Sequence, residues 1–381
     1  MERIKILNSS DKQDFSDRAS FPGEEGNPFD KLLRGLEFIN RIPTIIFIPI
    51  LFSLNGLLTI FNFEKWLILS LFSIIDVLLI SLLPFLRISF GSFKSQVFLL
   101  TVLRSLFVWF PSPINIIFQI LGVFLVIYGF IIEPSNLKIK QMSLRFKKGN
   151  LFVTFIHISD IHLEELGIRE LKIKRYIKDN PPDFILFTGD FLNLSNIRNE
   201  NSINQIIEFL NLLNAYAPIY YVTGSPAVDV EETVMIIEKN IMATRINNSN
   251  IVIRVKEKDV NIIGLTCTHK PHLDGDDISS LIVEDAINIL LYHSPDLVYE
   301  IEEGDKIDLM LSGHTHGGQV CLPWFGPLFT GSLYGRKLQS GLYKIHDTLL
   351  YISRGIGLEG LGATRVRFLC QPEIIVWKLE V

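Results

Sequence analysis

Four long apolar stretches, residues 42–61, 66–85, 97–110 and 114–132, dominate the first third of the chain. Between residues 41 and 132 the charged positions are Arg41, Glu64, Lys65, Asp76, Arg87, Lys94 and Arg104. A helix that crosses the hydrocarbon of a bilayer takes roughly twenty apolar residues, a length the first, second and fourth stretches meet. The third is shorter and carries Arg104, so it reads either as a packed span or as a helix lying at the interface. A buried core helix accounts for any one stretch, but not for a succession with so few charges. The pattern predicts a helical membrane region over residues 41–132 with about four spans, behind a polar leader over residues 1–40.

Beyond residue 148 the period shortens. LFVTFIHIS, DFILFTG and PIYYVTG read as strands, separated by helices near residues 165–178 and 202–215, which is the alternation of βαβ units and a largely parallel sheet. Further runs at NIIGLT, INILLYH, IDLMLSG, LLYIS and EIIVWKLEV indicate more than one sheet. The predicted fold class is therefore an N-terminal α-helical membrane region followed by an α/β domain over residues 151–381, joined by a basic linker over 133–150.

Basic residues flank the apolar region on both sides: Lys31, Arg34 and Arg41 before it, Lys138, Lys140, Arg145, Lys147 and Lys148 after it. Because cytoplasmic flanks retain Lys and Arg, both ends read as cytoplasmic. The expectation is a multi-pass protein of the cell (inner) membrane, with an even number of spans and a cytoplasmic α/β domain. A third stretch lying flat would make the count odd and move that domain to the other side.

Composition agrees with this picture. The 381 residues are 48 % hydrophobic with a mean hydropathy of +0.32, too apolar for an ordinary soluble enzyme. A net charge of -5 and a pI near 5.9 argue against a nucleic-acid partner. Cys267, Cys321 and Cys370 are widely spaced without a CxxC pair, so they suggest neither a disulfide framework nor a zinc–thiolate site. The leader, with Asp11, Asp14, Asp17, Glu24 and Glu25, lacks the pattern of a cleaved signal peptide.

Candidate chemistry collects where strands end. Asp160 and His162 follow the first strand, Asp190 follows FILFTG, His293 follows INILLY, and His314 and His316 follow IDLMLSG. Loops at the carboxyl ends of strands converge in α/β folds, so these residues can share one site. Carboxylates mixed with imidazoles and no thiolates suit divalent Mn, Fe or Zn. A pair of such ions can clamp both oxygens of a phosphoryl transfer. Each element alone is weak: a strand-end Asp is commonly a helix cap, and a strand-end His is commonly structural. Their order and common placement carry the argument, with the glycines of GHTHGG allowing close backbone approach.

These residues resemble the calcineurin-like metallophosphoesterases, and more closely their membrane-anchored bacterial branch. The matching blocks are SDIH, TGD, YHSPD and GHTHGGQ, with a similar tail in SRGIG and RVRFLCQPEI. The resemblance covers residues 151–381 and implies an αββα sandwich. It implies that Asp160, His162 and His316 hold one ion, that His293 and His314 hold a second, and that Asp190 bridges them. A water activated by both ions would then attack phosphorus.

One block departs from the family. Where the family carries Gly-Asn-His-Asp, this chain reads Gly224, Ser225, Pro226, Ala227, then Val228 and Asp229. The family amide ligates the second ion and its imidazole helps protonate the leaving group. Ser225 can reach a metal through its hydroxyl or a water. Pro226 has nothing to titrate, and losing a positioned acid costs about 10² to 10⁴ in rate. Asp229 is a candidate substitute acid; its plainer reading is a cap for the helix starting near Glu231. His157 reads as packed within its strand, His269 and His272 as part of a solvated loop or a lid, and Asp76 with Arg104 as a structural pair.

The expected function is hydrolysis of a phosphoester or pyrophosphate, with a lipid-linked substrate made attractive by the membrane region. The alternative is a metal-binding sensor or assembly domain on a membrane anchor, its catalysis weakened by the altered block. A transporter is disfavoured because few polar residues could line a path.

Overall fold

Pro43 and the turn before it break the chain between α1 (Pro28–Arg41) and α2 (Thr44–Leu58), and the helices on either side of the break diverge by 110°. In this computed structural model, which describes residues 4–24, 26–146 and 152–380, there follow α3 (Phe63–Ser81), α4 (Lys94–Ser105) and α5 (Ser112–Ile127). Asn62 starts α3 by accepting from the Lys65 amide at 3.1 Å. A π turn at Tyr128–Ile132 and the short α6 (Glu133–Ser135) prolong α5 into a helix of 24 residues.

The helices pack around Phe47, Leu51, Ile80, Leu83, Val97, Val126 and Phe130. Among the described residues, the segment Ser112–Ser135 alone is a single helix long and apolar enough to span a bilayer, and the bent pair formed by α1 and α2 passes the same test jointly. By length and composition the described residues thus hold one such helix, or two with the bent pair, where the apolar stretches predict about four. Helix α2 has 15 residues and α4 has 12, and at 1.5 Å per residue both fall short of a hydrocarbon core about 30 Å thick. The third stretch does not lie apart: Arg104 reaches from α4 into the bundle and pairs with Asp76 through two bonds of 2.6 and 2.7 Å, so the expected pair exists.

Both segments flanking the helices belong to the α/β fold. The expected linker carries a strand, β2 (Lys138–Arg145), which runs parallel to the last strand of the chain. In the leader, β1 (Lys5–Ile6) adds to a sheet edge beside Tyr343 and Lys344. Lys147, Lys148 and Leu151 at the expected linker–domain boundary lie outside the described residues, as do Glu25 and Val381.

The α/β domain continues through β3 (Phe152–Ile158), α7 (Ile168–Asp179), β4 (Phe184–Phe187), α8 (Glu200–Asn214), β5 (Ile219–Tyr221), α9 (Glu231–Glu238) and β6 (Thr244–Arg245). Then come β7 (Ser249–Val255), β8 (Lys258–Gly264), α10 (Pro271–Asp274), β9 (Ile287–Leu291), β10 (Leu309–Ser312), β11 (Cys321–Leu322), β12 (Gly326–Pro327), β13 (Gly341–Ile345), β14 (Thr348–Ile352) and β15 (Glu373–Glu380). Among the described residues they form one sheet in the order β2-β15-β3-β4-β5-β6 and another in the order β1-β13-β14-β10-β9-β8-β7, with β11 and β12 as a separate hairpin.

The two sheets face each other across a core that includes Phe155, Phe184, Leu186, Ile262, Leu291, Leu311 and Trp377. Helices α7 and α8 cover the outer face of the first sheet through Ile173, Ile177, Ile206 and Phe209. Strands β3, β4 and β5 are mutually parallel, and so are β8, β9 and β10. Their carboxyl ends therefore share one edge of the domain.

Candidate metal centre

The loops leaving that edge bring the sequence candidates together. Asp160 and His162 follow β3, Asp190 follows β4, Ser225 follows β5, His293 follows β9, and His314 and His316 follow β10. Asp160, His162, Asp190, His314 and His316 all have positive φ, between 42° and 67°. Non-glycine residues rarely adopt that conformation, and where they do it is held by surrounding structure, characteristically at functional sites. Glycine makes the close approach possible at Gly313, where a Cβ would lie 1.8 Å from Ser159 Oγ and 2.3 Å from Asp160 Oδ2.

Asp190 lies at the centre. Its Oδ2 is 3.3 Å from His162 Nε2 and 3.3 Å from His293 Nε2, while its Oδ1 accepts from the Ser225 amide at 2.8 Å. Asp160 and His316 complete one group with His162, and Asp160, Asp190 and His293 form a second; within each group the donor atoms lie within 4.8 Å of one another.

Backbone carbonyls fix the imidazole tautomers. His293 Nδ1 faces the Thr188 carbonyl at 2.7 Å and His314 Nε2 faces the Gly331 carbonyl at 3.1 Å, so each of those nitrogens carries a proton. The opposite nitrogens turn inward, the arrangement by which outer groups orient metal-ligating histidines. His162 Nε2 also meets His316 Nε2 at 3.0 Å, and the buried Asp160 Oδ2 has no hydrogen-bond partner. A buried cluster with more acceptors than donors fits divalent cations.

Comparisons with known proteins agree with this geometry. The family model for calcineurin-like phosphoesterases matches residues 153–225. Uncharacterized metallophosphoesterase YkoQ of Bacillus subtilis is 28 % identical over 259 residues, covering 64 % of this chain and 90 % of that protein. UDP-2,3-diacylglucosamine pyrophosphatase LpxG of Chlamydia muridarum is 24 % identical over 305 residues, covering 65 % and 90 %. Phosphodiesterase YaeI of Escherichia coli is 27 % identical over 262 residues, covering 65 % and 90 %. These matches support the calcineurin-like phosphoesterase superfamily for the α/β domain.

The charges of the cluster are mutually dependent. Burial disfavours the His162 cation, but the Asp190 carboxylate more than offsets it and pushes the pKa up to about 9; His293 is pushed up to about 9 by the same balance. Burial opposes ionisation of Asp190 too, yet His293 and His162 hold it well below the usual carboxylate range. His314 is driven down to about 3 by burial and then by the charge of His293.

Asp229 is buried beside the cluster. Its carboxylate accepts from the amides of Gly224, Asp190 and Phe191 at 2.7, 2.9 and 2.9 Å, so it ties the loop after β4 to the loop after β5. It caps no helix: Val230 stands at the N-cap of α9, without a side-chain bond. All three bonds run to backbone. Pro226, at the position of the family imidazole, is exposed.

His157 is packed as expected, with Nε2 2.9 Å from Thr188 Oγ1. His269, assigned to a solvated or lid loop, is instead only 2 % exposed and lies against the centre, its ring 4.5 Å from that of His314. The usable signal was the one applied elsewhere: NIIGLT is a strand, and the polar TCTHKPH segment follows its carboxyl end.

Proposed function

We propose that this phosphoesterase is a membrane-bound, metal-dependent hydrolase of phosphoesters or pyrophosphates whose substrates carry an apolar portion. The observation that carries the reading is a cavity of about 550 Å³ that joins the cluster to apolar surface. Asp190, Ser225, His314 and His316 line it on one side, while Leu33 and Leu36 of α1, Leu99 of α4 and Phe329 line it elsewhere. A phosphate at the cluster would thus have room beside it for an apolar chain leading toward the helices. The name of the Chlamydia relative, a pyrophosphatase of a diacylated sugar nucleotide, describes a substrate of that chemistry.

The helices support membrane attachment by being inverted relative to a soluble bundle. Asn55, Ser70, Ser73, Asp76, Thr101, Arg104 and Gln119 are buried, whereas Ile45, Leu57, Leu67, Leu78, Leu103, Ile117, Phe124 and Leu125 are exposed. Apolar surface of that extent marks a membrane or partner contact. Polar side chains turned inward and satisfying one another suit a hydrocarbon surrounding.

Asp160, His162 and His316 would hold one divalent ion, His293 and His314 a second, with Asp190 between them. When bound, the ions supply Lewis acidity and lower the pKa of water at the site. The protein holds Asp190 ionised at neutral pH, turns the inward nitrogens of His293 and His314 toward the site by fixing their opposite nitrogens at the Thr188 and Gly331 carbonyls, and anchors both loops at Asp229. With no imidazole at Pro226, departure of the leaving group draws no help from that position. Pyrophosphates, whose leaving groups are already acidic, lose least by this.

The test is hydrolysis by the detergent-solubilised full chain of mono-, di- and pyrophosphate esters, with and without acyl chains, in the presence of Mn²⁺, Fe²⁺ or Zn²⁺. Acylated pyrophosphates are expected to turn over best. Asp190→Ala is expected to lower kcat by about 10²-fold or more while reducing bound metal, because one carboxylate serves both groups of ligands. Absence of metal-dependent turnover across the panel would overturn the reading.

A further inference from the structure

We propose that His269 is a ligand of the second divalent ion, replacing the amide that this chain lacks at residue 225. The inference rests on the reading above that the centre holds two ions; it assigns the second one a ligand from a loop that carries none of the sequence blocks matched to the family.

The Ser225 hydroxyl is surrounded by imidazoles. Its Oγ is 3.1 Å from His269 Nε2, 3.2 Å from His293 Nε2 and 3.4 Å from His314 Nδ1. The Thr188 and Gly331 carbonyls hold the outer nitrogens of His293 and His314, so that their inward nitrogens are aimed at this point beside His269 Nε2. Around a buried point where three nitrogens converge on one small hydroxyl, a divalent cation satisfies every acceptor at once. Serine also ends one bond nearer its backbone than asparagine, so the ligand lost from the loop after β5 is supplied from the opposite side.

The fold places His269 as it places the accepted candidates. It leaves the carboxyl end of β8, which is parallel to β9, the strand that delivers His293. Its φ is 62°, within the range shared by Asp160, His162, Asp190, His314 and His316. The ring is locked by packing on His314 and by the leader: a Cβ at Gly23 would stand 2.3 Å from His269 Nε2, so glycine is required there. This is a built position, closed on one side by the leader and open on the other toward Ser225.

The experiment uses the full chain in detergent, stripped with chelator and titrated with Mn²⁺, with stoichiometry from elemental analysis and the spin coupling of the ions from electron paramagnetic resonance. The parent is expected to bind two ions and to give a coupled spectrum. His269→Phe keeps a ring for packing but no donor; it should retain one ion, bind the second about 10- to 100-fold more weakly and show the spectrum of isolated Mn²⁺. His269→Gln, with an amide oxygen near the place of Nε2, should recover the second ion and the coupling. Two tightly bound, coupled ions in His269→Phe would overturn the assignment while leaving the dinuclear reading intact. Fewer than two ions in the parent would overturn that reading itself.

Discussion

Asp190 binds the electrostatics of the centre to its chemistry, because the same carboxylate oxygen meets His162 and His293 at 3.3 Å. Both imidazoles have pKa values near 9 against an ordinary value of about 6.5, so in metal-free protein both are protonated at neutral pH. A base whose folded pKa is raised stabilises the fold fully below its unfolded pKa and loses that contribution as pH rises through the folded value. The metal-free protein is therefore expected to lose stability between about pH 6.5 and 9, on the order of a few kcal/mol in all. Denaturation of chelator-treated protein across that range measures it. Asp190→Asn should flatten the slope, and bound metal should remove it, because ligation displaces the same protons. A slope unchanged by Asp190→Asn would place the carboxylate outside the couple.

At the scale of elements, the strands that deliver ligands were legible because each is a short apolar run ending in a polar block, and β3, β4, β9 and β10 all do so. His269 was not, since the four residues between β8 and His269 read as part of a polar loop until the parallel pairing of β8 with β9 sets that loop on the shared edge. The cap reading of Asp229 failed for a similar reason: its partners at residues 190 and 191 are nearly forty positions away. The apolar stretches foretold helices but not their lengths, because Pro43 and the turns between helices cut them short. Asp76 and Arg104 were legible as a pair because each is the lone charge in its apolar segment. Arg104 also donates to the Gln119 carbonyl at 2.9 Å, so α3, α4 and α5 meet at this one guanidinium. Asp76→Ala is expected to destabilise the bundle by about 3–5 kcal/mol by leaving that cation buried and unpaired, and Asp76→Leu with Arg104→Met to recover most of the loss. Thermal denaturation in detergent compares the three; equal losses in the single and double changes would mean that the pair contributes through packing alone.

On the scale of the whole molecule, the leader and the phosphoesterase domain must lie on the same side of any membrane the helices enter. Strand β1 hydrogen-bonds along β13, Lys12 pairs with Glu300 at 2.7 Å, Lys337 with Asp11 at 3.0 Å, and the ring of Phe15 packs edge-on against Tyr334 at 5.3 Å. The chain leaves this domain at α1 and rejoins it at β2, so helices between them that enter a bilayer would cross it an even number of times or enter and return. That constraint is independent of the basic residues on the two flanks, and it agrees with their cytoplasmic reading. It is also independent of the length of any one helix. Cysteines introduced at the exposed positions Ser9 and Asn201 report on the leader and the domain separately, against a low background because the three native thiols are buried. In intact cells both positions are expected to resist an impermeant thiol reagent and to react once the membrane is opened. Labelling of both in intact cells would move the active centre to the outer face while keeping the even count. Labelling of only one would break the pairing of β1 with β13, and with it the placement of Gly23 over His269.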